Sequence, residues 1–217
     1  MSEDWPSGLD LPDAHDPKVL GWLQKFLREG DVYYDIGAHR GIMTKLVRSC
    51  IGKGRIVAIE PNAKIFLELL SCFREDPDCT LICAAAWSRW EMLNFTPSKN
   101  SGSSMVGQQV FGHIPYAGHI VLAASLFVSG IPLDGLVERG VIRLPNFIKS
   151  DTQGSELEWM KGASELLRSP ALRGMIFECD DNLLKLHKSS SGELLDFVKG
   201  LGFRIVETEG DDVLALR

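Results

Sequence analysis

The sequence holds no apolar run near the roughly 20 residues needed to cross a bilayer, and its longest predominantly apolar stretch, Ile120 to Val128, is of strand length. It opens on the acidic Met1-Ser2-Glu3-Asp4-Trp5-Pro6, without an apolar core of signal-peptide length. A soluble cytoplasmic protein with no membrane partner is therefore expected. Positive charge is not in excess: 23 Lys and Arg stand against 29 Asp and Glu, a net charge of −6. That balance disfavours a chain whose main work is gripping a nucleic acid backbone, so no nucleic acid partner is expected. The five cysteines (Cys50, Cys72, Cys79, Cys83, Cys179) are odd in number and include no Cys-x-x-Cys pair. Reduced thiols are thus expected rather than a disulfide framework or a zinc site. No His, Asp and Glu triplet has ligand spacing, and no metal is expected. Repeats and long linkers are absent too. The 217 residues read as one domain, with residues 1–30 as an N-terminal helical extension and 88–130 as an insertion or hairpin region.

What is present is alternation. Short β-like runs switch repeatedly with longer helical ones, the signature of an α/β domain. A helix is predicted over 17–28, with Asp16 as N-cap and Pro17 at its first position. Strands are expected at 32–36, 55–60 and 80–86. A helix from about Ile42 to Cys50 separates the first two, and another follows Asn62, carrying Ile65, Phe66, Leu69, Leu70 and Phe73 at helical spacing. Residues 88–130 break the pattern with a polar loop at 98–104, a turn-rich stretch at 113–119 and a strand at 119–129. Regularity returns with a strand at 146–150, a helix over 154–167, a strand at 174–179, a helix over 192–199 and closing strands at 203–207 and 212–216.

The strongest local signal is Val32-Tyr33-Tyr34-Asp35-Ile36-Gly37-Ala38-His39-Arg40-Gly41, a strand ending in Asp-x-Gly-x-x-x-Gly and opening a helix. Glycines there permit a tight turn and close ligand approach. It is not the Gly-x-Gly-x-x-Gly that presents a helix N-terminus to a pyrophosphate. Asp35 before the loop would repel a diphosphate and attract a ligand carrying an ammonium and a sulfonium, although Arg40 could serve an anion if turned inward. The second signal is Glu60, 19 positions after Gly41 (60 − 41), where a carboxylate can accept bonds from both ribose hydroxyls; nicotinamide sites use that position similarly. Together the two point to a nucleoside-like cofactor. No Walker loop is present, because Gly52-Lys53-Gly54 is too short and precedes a strand.

Four segments resemble the FkbM family of methyltransferases. They are Tyr34-Asp35-Ile36-Gly37-Ala38-His39-Arg40-Gly41, Ile59-Glu60-Pro61-Asn62, Ile131-Pro132-Leu133-Asp134-Gly135-Leu136 and Ile148-Lys149-Ser150-Asp151-Thr152-Gln153-Gly154-Ser155-Glu156, the last continuing through Leu157-Glu158-Trp159-Met160-Lys161-Gly162-Ala163. The resemblance implies a Rossmann-like class I methyltransferase fold, with a seven-stranded, mostly parallel sheet flanked by helices. It also implies S-adenosylmethionine as methyl donor and, usually, O-methylation of a small molecule or sugar. The candidate cofactor residues are Asp35, Gly37, Ala38, His39, Gly41, Glu60, Pro61, Asn62, Ala85 and Asp151. Two departures stand out: His39 replaces the family's common Asn, and Gln153 replaces its common Glu while Ser150 replaces an apolar strand residue. The missing carboxylate beside Asp151 bears on substrate handling or on activity itself.

Methyl transfer needs donor and acceptor held in line, and an alcohol acceptor also needs a base for its proton. Asp151 and Glu178, each ending a strand, are the candidate catalytic carboxylates; for Asp151 the competing reading is an N-cap of the following helix. Glu156, just inside that helix, reads as favouring its N-terminal dipole. His113 and His119 could supply an imidazole base, His15 and His187 read as surface residues, and Trp87 as core or rim packing near the expected adenine pocket. Ser101-Gly102-Ser103-Ser104 is a candidate lid. Against the leading reading, an O-methyltransferase acting on a small-molecule or glycan hydroxyl, stand two others. One is a binding or scaffold module that has kept the fold and lost the chemistry, and the other is a nicotinamide-dependent oxidoreductase.

Overall fold

The computed structural model describes residues 17–97, 105–106 and 126–217. The elements follow in the order α1 (Pro17–Phe26), β1 (Val32–Ile36), α2 (Ile42–Ile51), β2 (Arg55–Ile59), α3 (Ala63–Phe73), β3 (Cys79–Ile82), β4 (Ala85–Ala86), β5 (Glu91–Thr96), β6 (Met105–Val106) and β7 (Phe127–Ile131). They continue with α4 (Leu133–Glu138), β8 (Phe147–Ser150), α5 (Glu156–Lys161), α6 (Ser164–Arg168), β9 (Gly174–Glu178), α7 (Asp181–Leu186), α8 (Ser191–Gly200), β10 (Arg204–Glu209) and β11 (Asp212–Leu216). Seven strands form one sheet in the order β10-β11-β9-β8-β1-β2-β3, and a second sheet runs β4-β7-β5-β6. Within the large sheet β11 is antiparallel to both of its neighbours and every other pairing is parallel.

The central strands are near-continuous apolar runs because helices cover both faces. Their side chains alternate between two cores. Tyr33, Ile56, Phe147, Ile176 and Leu214 pack with α1 and α2, and Tyr34, Val57, Ile148, Phe177 and Val213 pack with α5 to α8. Helix α2 turns Met43, Leu46, Val47 and Ile51 inward, each such burial being worth about 1.5–3 kcal/mol. In α3 the buried residues are Ile65, Leu69 and Phe73, one every four positions, and the Asn62 side chain accepts from Lys64 N at its start. Helix α1 was expected as an extension; instead Val19, Leu20, Trp22 and Leu23 are buried in the core beside α2.

Three boundaries differ from expectation for identifiable reasons. The run 80–86 is two strands: the chain leaves the large sheet after Ile82, and β4 pairs with β7 instead. The single helix expected over 154–167 is broken into α5 and α6 at Gly162, where a Cβ would stand 2.0 Å from the Trp87 carbonyl oxygen. The break is capped from a distance, because the Asp134 carboxylate accepts from Glu165 N at 3.0 Å and Leu166 N at 2.8 Å. The strand expected at 119–129 is described only from residue 126, and β7 extends to Ile131.

Candidate active site

β1 has β2 on one side and β8 on the other, so the chain order reverses between β1 and β8. At such a switch point the loops diverge and leave a crevice at the carboxyl ends of the strands. The register fills that edge with charge. Asp35 lies opposite Lys149, Asp212 lies opposite Glu178, and the pair beyond Ser150 and Phe177 is Asp151 and Glu178. Because strand side chains alternate, Asp35, Lys149, Asp151, Glu178 and Asp212 all project from the face of the sheet that carries α1 and α2.

The loop after β1 is pinned from every side. Gly37 N and Ala38 N both donate to Ile59 O at 2.9 and 3.0 Å, and Gly41 N donates to Ala38 O at 2.9 Å. His39, held at φ 51°, donates its N–H to Glu60 Oε2 at 3.0 Å. Glycine is required at position 37 by the protein's own packing: φ is 81° and a Cβ would stand 1.9 Å from the Asp151 carbonyl oxygen. The N–H groups of residues 37, 38, 39 and 41 are thus already engaged, and Arg40 turns outward to Glu68 at 2.6 Å. The loop therefore keeps most of its donors for itself and turns its arginine away, which counts against a nicotinamide dinucleotide.

Asp35, expected to face a ligand, is 1% exposed. Its Oδ2 accepts from Thr44 Oγ1 at 2.5 Å. Burial raises its pKa, and the charge of Lys149 opposes the rise. Lys149 is itself buried, yet its pKa is raised, because Asp151, Asp35 and Asp212 together outweigh the cost of burial. Glu60, also buried, accepts from Asn62 N through Oε1 at 2.7 Å besides the bond from His39. Burial nevertheless pushes its pKa up to about 7 against those two bonds. A carboxylate offers about four acceptor positions, so two bonds leave room for hydroxyl donors. Pro61 lies between Glu60 and the Asn62 cap. The acidic, cation-poor donor set fits a ligand that presents ribose hydroxyls, an ammonium and a sulfonium, as S-adenosylmethionine does.

Asp151 does not cap the following helix. Helix α5 begins at Glu156 with Ser155 as N-cap, and the Asp151 side chain instead meets Lys149 Nζ at 3.5 Å and Gln153 Nε2 at 2.9 Å. Gln153 Nε2 also donates to Glu178 Oε2 at 3.2 Å. Burial first, then Asp151, Glu156 and Asp212, push the Glu178 carboxyl up to about 9. Glu156 does more than favour the helix dipole. Its Oε1 accepts from Thr152 N and Oγ1 at 2.8 and 2.7 Å, and burial pushes the carboxyl up to about 7.

Ala38 is buried in the α2-side core. Ala85 lies in the second sheet, buried with Trp87, Leu93 and Phe95, so its contacts are packing contacts. Trp87 joins that core and donates from Nε1 to Glu91 Oε1 at 2.6 Å, in keeping with a packing role. His187, read as a surface residue, is half-buried edge-on to Trp87 with ring centroids 6.2 Å apart, and burial lowers its pKa to about 4. His15, His113, His119 and the Ser101–Ser104 loop lie outside the described residues. Among the described residues no group of three His, Cys, Asp or Glu side chains is placed to hold a metal ion, and no helix is long and apolar enough to cross a membrane. Lys149 and Thr44 were given no role from sequence alone. A lysine inside the fully buried β8 run Phe147-Ile148-Lys149-Ser150 was the available signal for the first.

The family model described as the methyltransferase FkbM domain matches residues 35–205. The hexuronic acid methyltransferase AglP of Haloferax volcanii is 28% identical over 164 residues, which are 74% of this chain and 60% of that protein. The chain therefore spans less than two thirds of that curated relative's length. Among solved structures, Aeropyrum pernix fibrillarin with natively bound S-adenosyl-L-methionine superposes with a TM-score of 0.52 at 13% identity, covering 92% of this chain and 74% of that one. A SAM-dependent methyltransferase from Aquifex aeolicus gives 0.50 at 15% identity, covering 93% of each. The strand order, the pinned loop and the extent of the family match agree: the chain belongs to the FkbM family of S-adenosylmethionine-dependent methyltransferases.

Proposed function

We propose that the chain O-methylates a hydroxyl of a sugar or small metabolite, with Asp151 taking the hydroxyl proton. When bound, S-adenosylmethionine supplies a sulfonium methyl open to in-line displacement, and the protein's task is to hold the acceptor oxygen in line and remove its proton. The observation that carries the assignment is a contrast in exposure at the switch point. Asp35, Glu60 and Glu156 are buried, whereas the Asp151 side chain is 40% exposed. Burial and the neighbouring acids raise the Glu178 carboxyl, which favours its protonated form and the part of a hydrogen-bond partner over that of a base. Two carboxyl groups that differ in exposure can divide the work in this way. The sugar acceptor is supported by the hexuronic acid named for the curated relative, and the net charge of −6 favours a small acceptor over a nucleic acid backbone.

Turnover on a panel of hexoses, uronic acids and short RNA oligonucleotides tests the reading, with Asp151→Asn and Glu178→Gln beside wild type. Asp151→Asn is expected to lower kcat by about 10²–10⁴-fold while binding S-adenosylmethionine with little change, and Glu178→Gln is expected to retain most turnover. Full activity in Asp151→Asn would remove the base assignment. Methylation of RNA and of no sugar would overturn the acceptor class.

A further inference from the structure

Gln153 has no part in the chemistry described so far, yet its geometry is unusual. Its φ is 55°, a left-handed conformation that a residue with a Cβ adopts only where its surroundings require it. In that conformation its amide nitrogen lies between two strand ends, donating to Asp151 Oδ1 at 2.9 Å and Glu178 Oε2 at 3.2 Å. A primary amide carries two N–H donors, and here each serves a different carboxyl group. The charges around it come from several elements: Asp151 and Lys149 from β8, Glu178 from β9, Glu156 from α5, Asp212 from β11 and Asp35 from β1. Asp151, Asp35, Asp212 and Glu178 all interact with the one buried ammonium, Lys149, and between Asp151 and Glu178 the amide is a bridging donor.

We propose that Gln153 is the positioning residue of this site, its non-titrating amide setting the spacing of Asp151 and Glu178 independently of pH. The proposal rests on the reading of Asp151 as the base. A carboxylic acid of the same length could bridge the two only while protonated. Once ionised it would add a further negative charge among the acids already there. Glu178 is already pushed up by those neighbours, and an acid at 153 would be crowded in the same way. Its folded pKa would lie above the unfolded value of about 4.3, so the stability it lends would be present below that pH and lost as pH rises.

The test compares wild type, Gln153→Glu and Gln153→Ala by melting temperature of the unliganded protein and by S-adenosylmethionine affinity, from about pH 5 to pH 8.5. Gln153→Ala keeps the backbone strain, loses the donor and adds no titrating group, so its curve should follow that of wild type more closely than the Gln153→Glu curve does. Gln153→Glu should match wild type at the acid end and fall below Gln153→Ala at the alkaline end. Its S-adenosylmethionine affinity relative to wild type should weaken by about tenfold across that range, because repulsion that displaces Asp151 and Glu178 outweighs the attraction of one more charge for the cationic ligand. Curves for the two variants that stay parallel at every pH would overturn the proposal. The thermal comparison needs no acceptor or donor, so a failure of the base assignment, read from Asp151→Asn turnover, remains separate from a failure here.

Discussion

Glu60 makes stability and cofactor binding respond to pH in opposite directions. Burial raises its pKa from 4.5 to about 7, although His39 N and Asn62 N both donate to it. An acid whose folded pKa is raised binds its proton more tightly folded than unfolded, so its stabilising contribution is complete at low pH and is lost as pH rises through 7. With 1.36 kcal/mol per pKa unit and those two values, the loss between about pH 5.5 and pH 8 is about 2 kcal/mol. In a chain of this size that is about 4–8 °C in Tm. Glu60→Gln cannot ionise. It also turns an amide N–H toward one of the two backbone donors, a penalty that does not itself vary with pH and leaves the slope of its Tm against pH unaffected. The readout is therefore slope: wild-type Tm should fall between those pH values by about 4–8 °C more than that of Glu60→Gln. Affinity for S-adenosylmethionine should move the other way, since a cationic ligand with ribose hydroxyl donors favours the ionised carboxylate. Parallel melting curves would refute the reasoning, because they would mean that the two backbone bonds outweigh burial and that Glu60 is already ionised at the acid end.

Two further substitutions test the packing around the site. Gly37 and Gly30 share nearly the same backbone, at φ 81° and 82°, but only Gly37 meets a neighbour, the Asp151 carbonyl at 1.9 Å. Gly30→Ala should cost about 1–2 kcal/mol in urea unfolding, the left-handed penalty alone, whereas Gly37→Ala should cost more and also abolish saturable S-adenosylmethionine binding. Equal costs would mean that the two loops can separate. Asp134→Ala removes the cap on Glu165 N and Leu166 N and should lower the unfolding free energy in urea by about 1–2 kcal/mol at unchanged m, with donor affinity retained.

The fold was legible where one pattern had one physical solution. Runs such as Arg55-Ile56-Val57-Ala58-Ile59 suit a strand covered on both faces, and the spacing of Ile65, Leu69 and Phe73 suits a helix with one buried face. Legibility failed where a distant contact decided. Nothing local in Glu156-Leu157-Glu158-Trp159-Met160-Lys161-Gly162-Ala163 breaks a helix decisively, since a glycine there weakens it by only about 1 kcal/mol. At the break Asp134 takes over the helix's own bonds, its N–H donating to Gly162 O and its carboxylate accepting from Glu165 N and Leu166 N, while the Trp87 carbonyl leaves no room for a Cβ at 162. The departure of the chain after Ile82 likewise depends on β7, some 45 residues later (127 − 82).

At the site the same division separates residues from roles. The positions Asp35, Glu60 and Asp151 were readable because each ends a strand beside the switch point, which is a property of spacing. Their division of labour was not, because it depends on which side of the sheet each side chain takes and how deep it lies. Asp35 and Lys149 face one another across β1 and β8, so the acid that sequence alone would offer to a ligand's ammonium already has an internal cation as its neighbour. That ammonium also stands 3.5 Å from Asp151, linking the buried acid to the half-exposed one. Gln153 shows the same dependence most sharply. As a letter it subtracts a carboxylate from an acidic motif, and that suggests impairment. In place it supplies two donors between two acids, and among the acids gathered about a single ammonium a neutral donor avoids the repulsion that a further carboxylate would add.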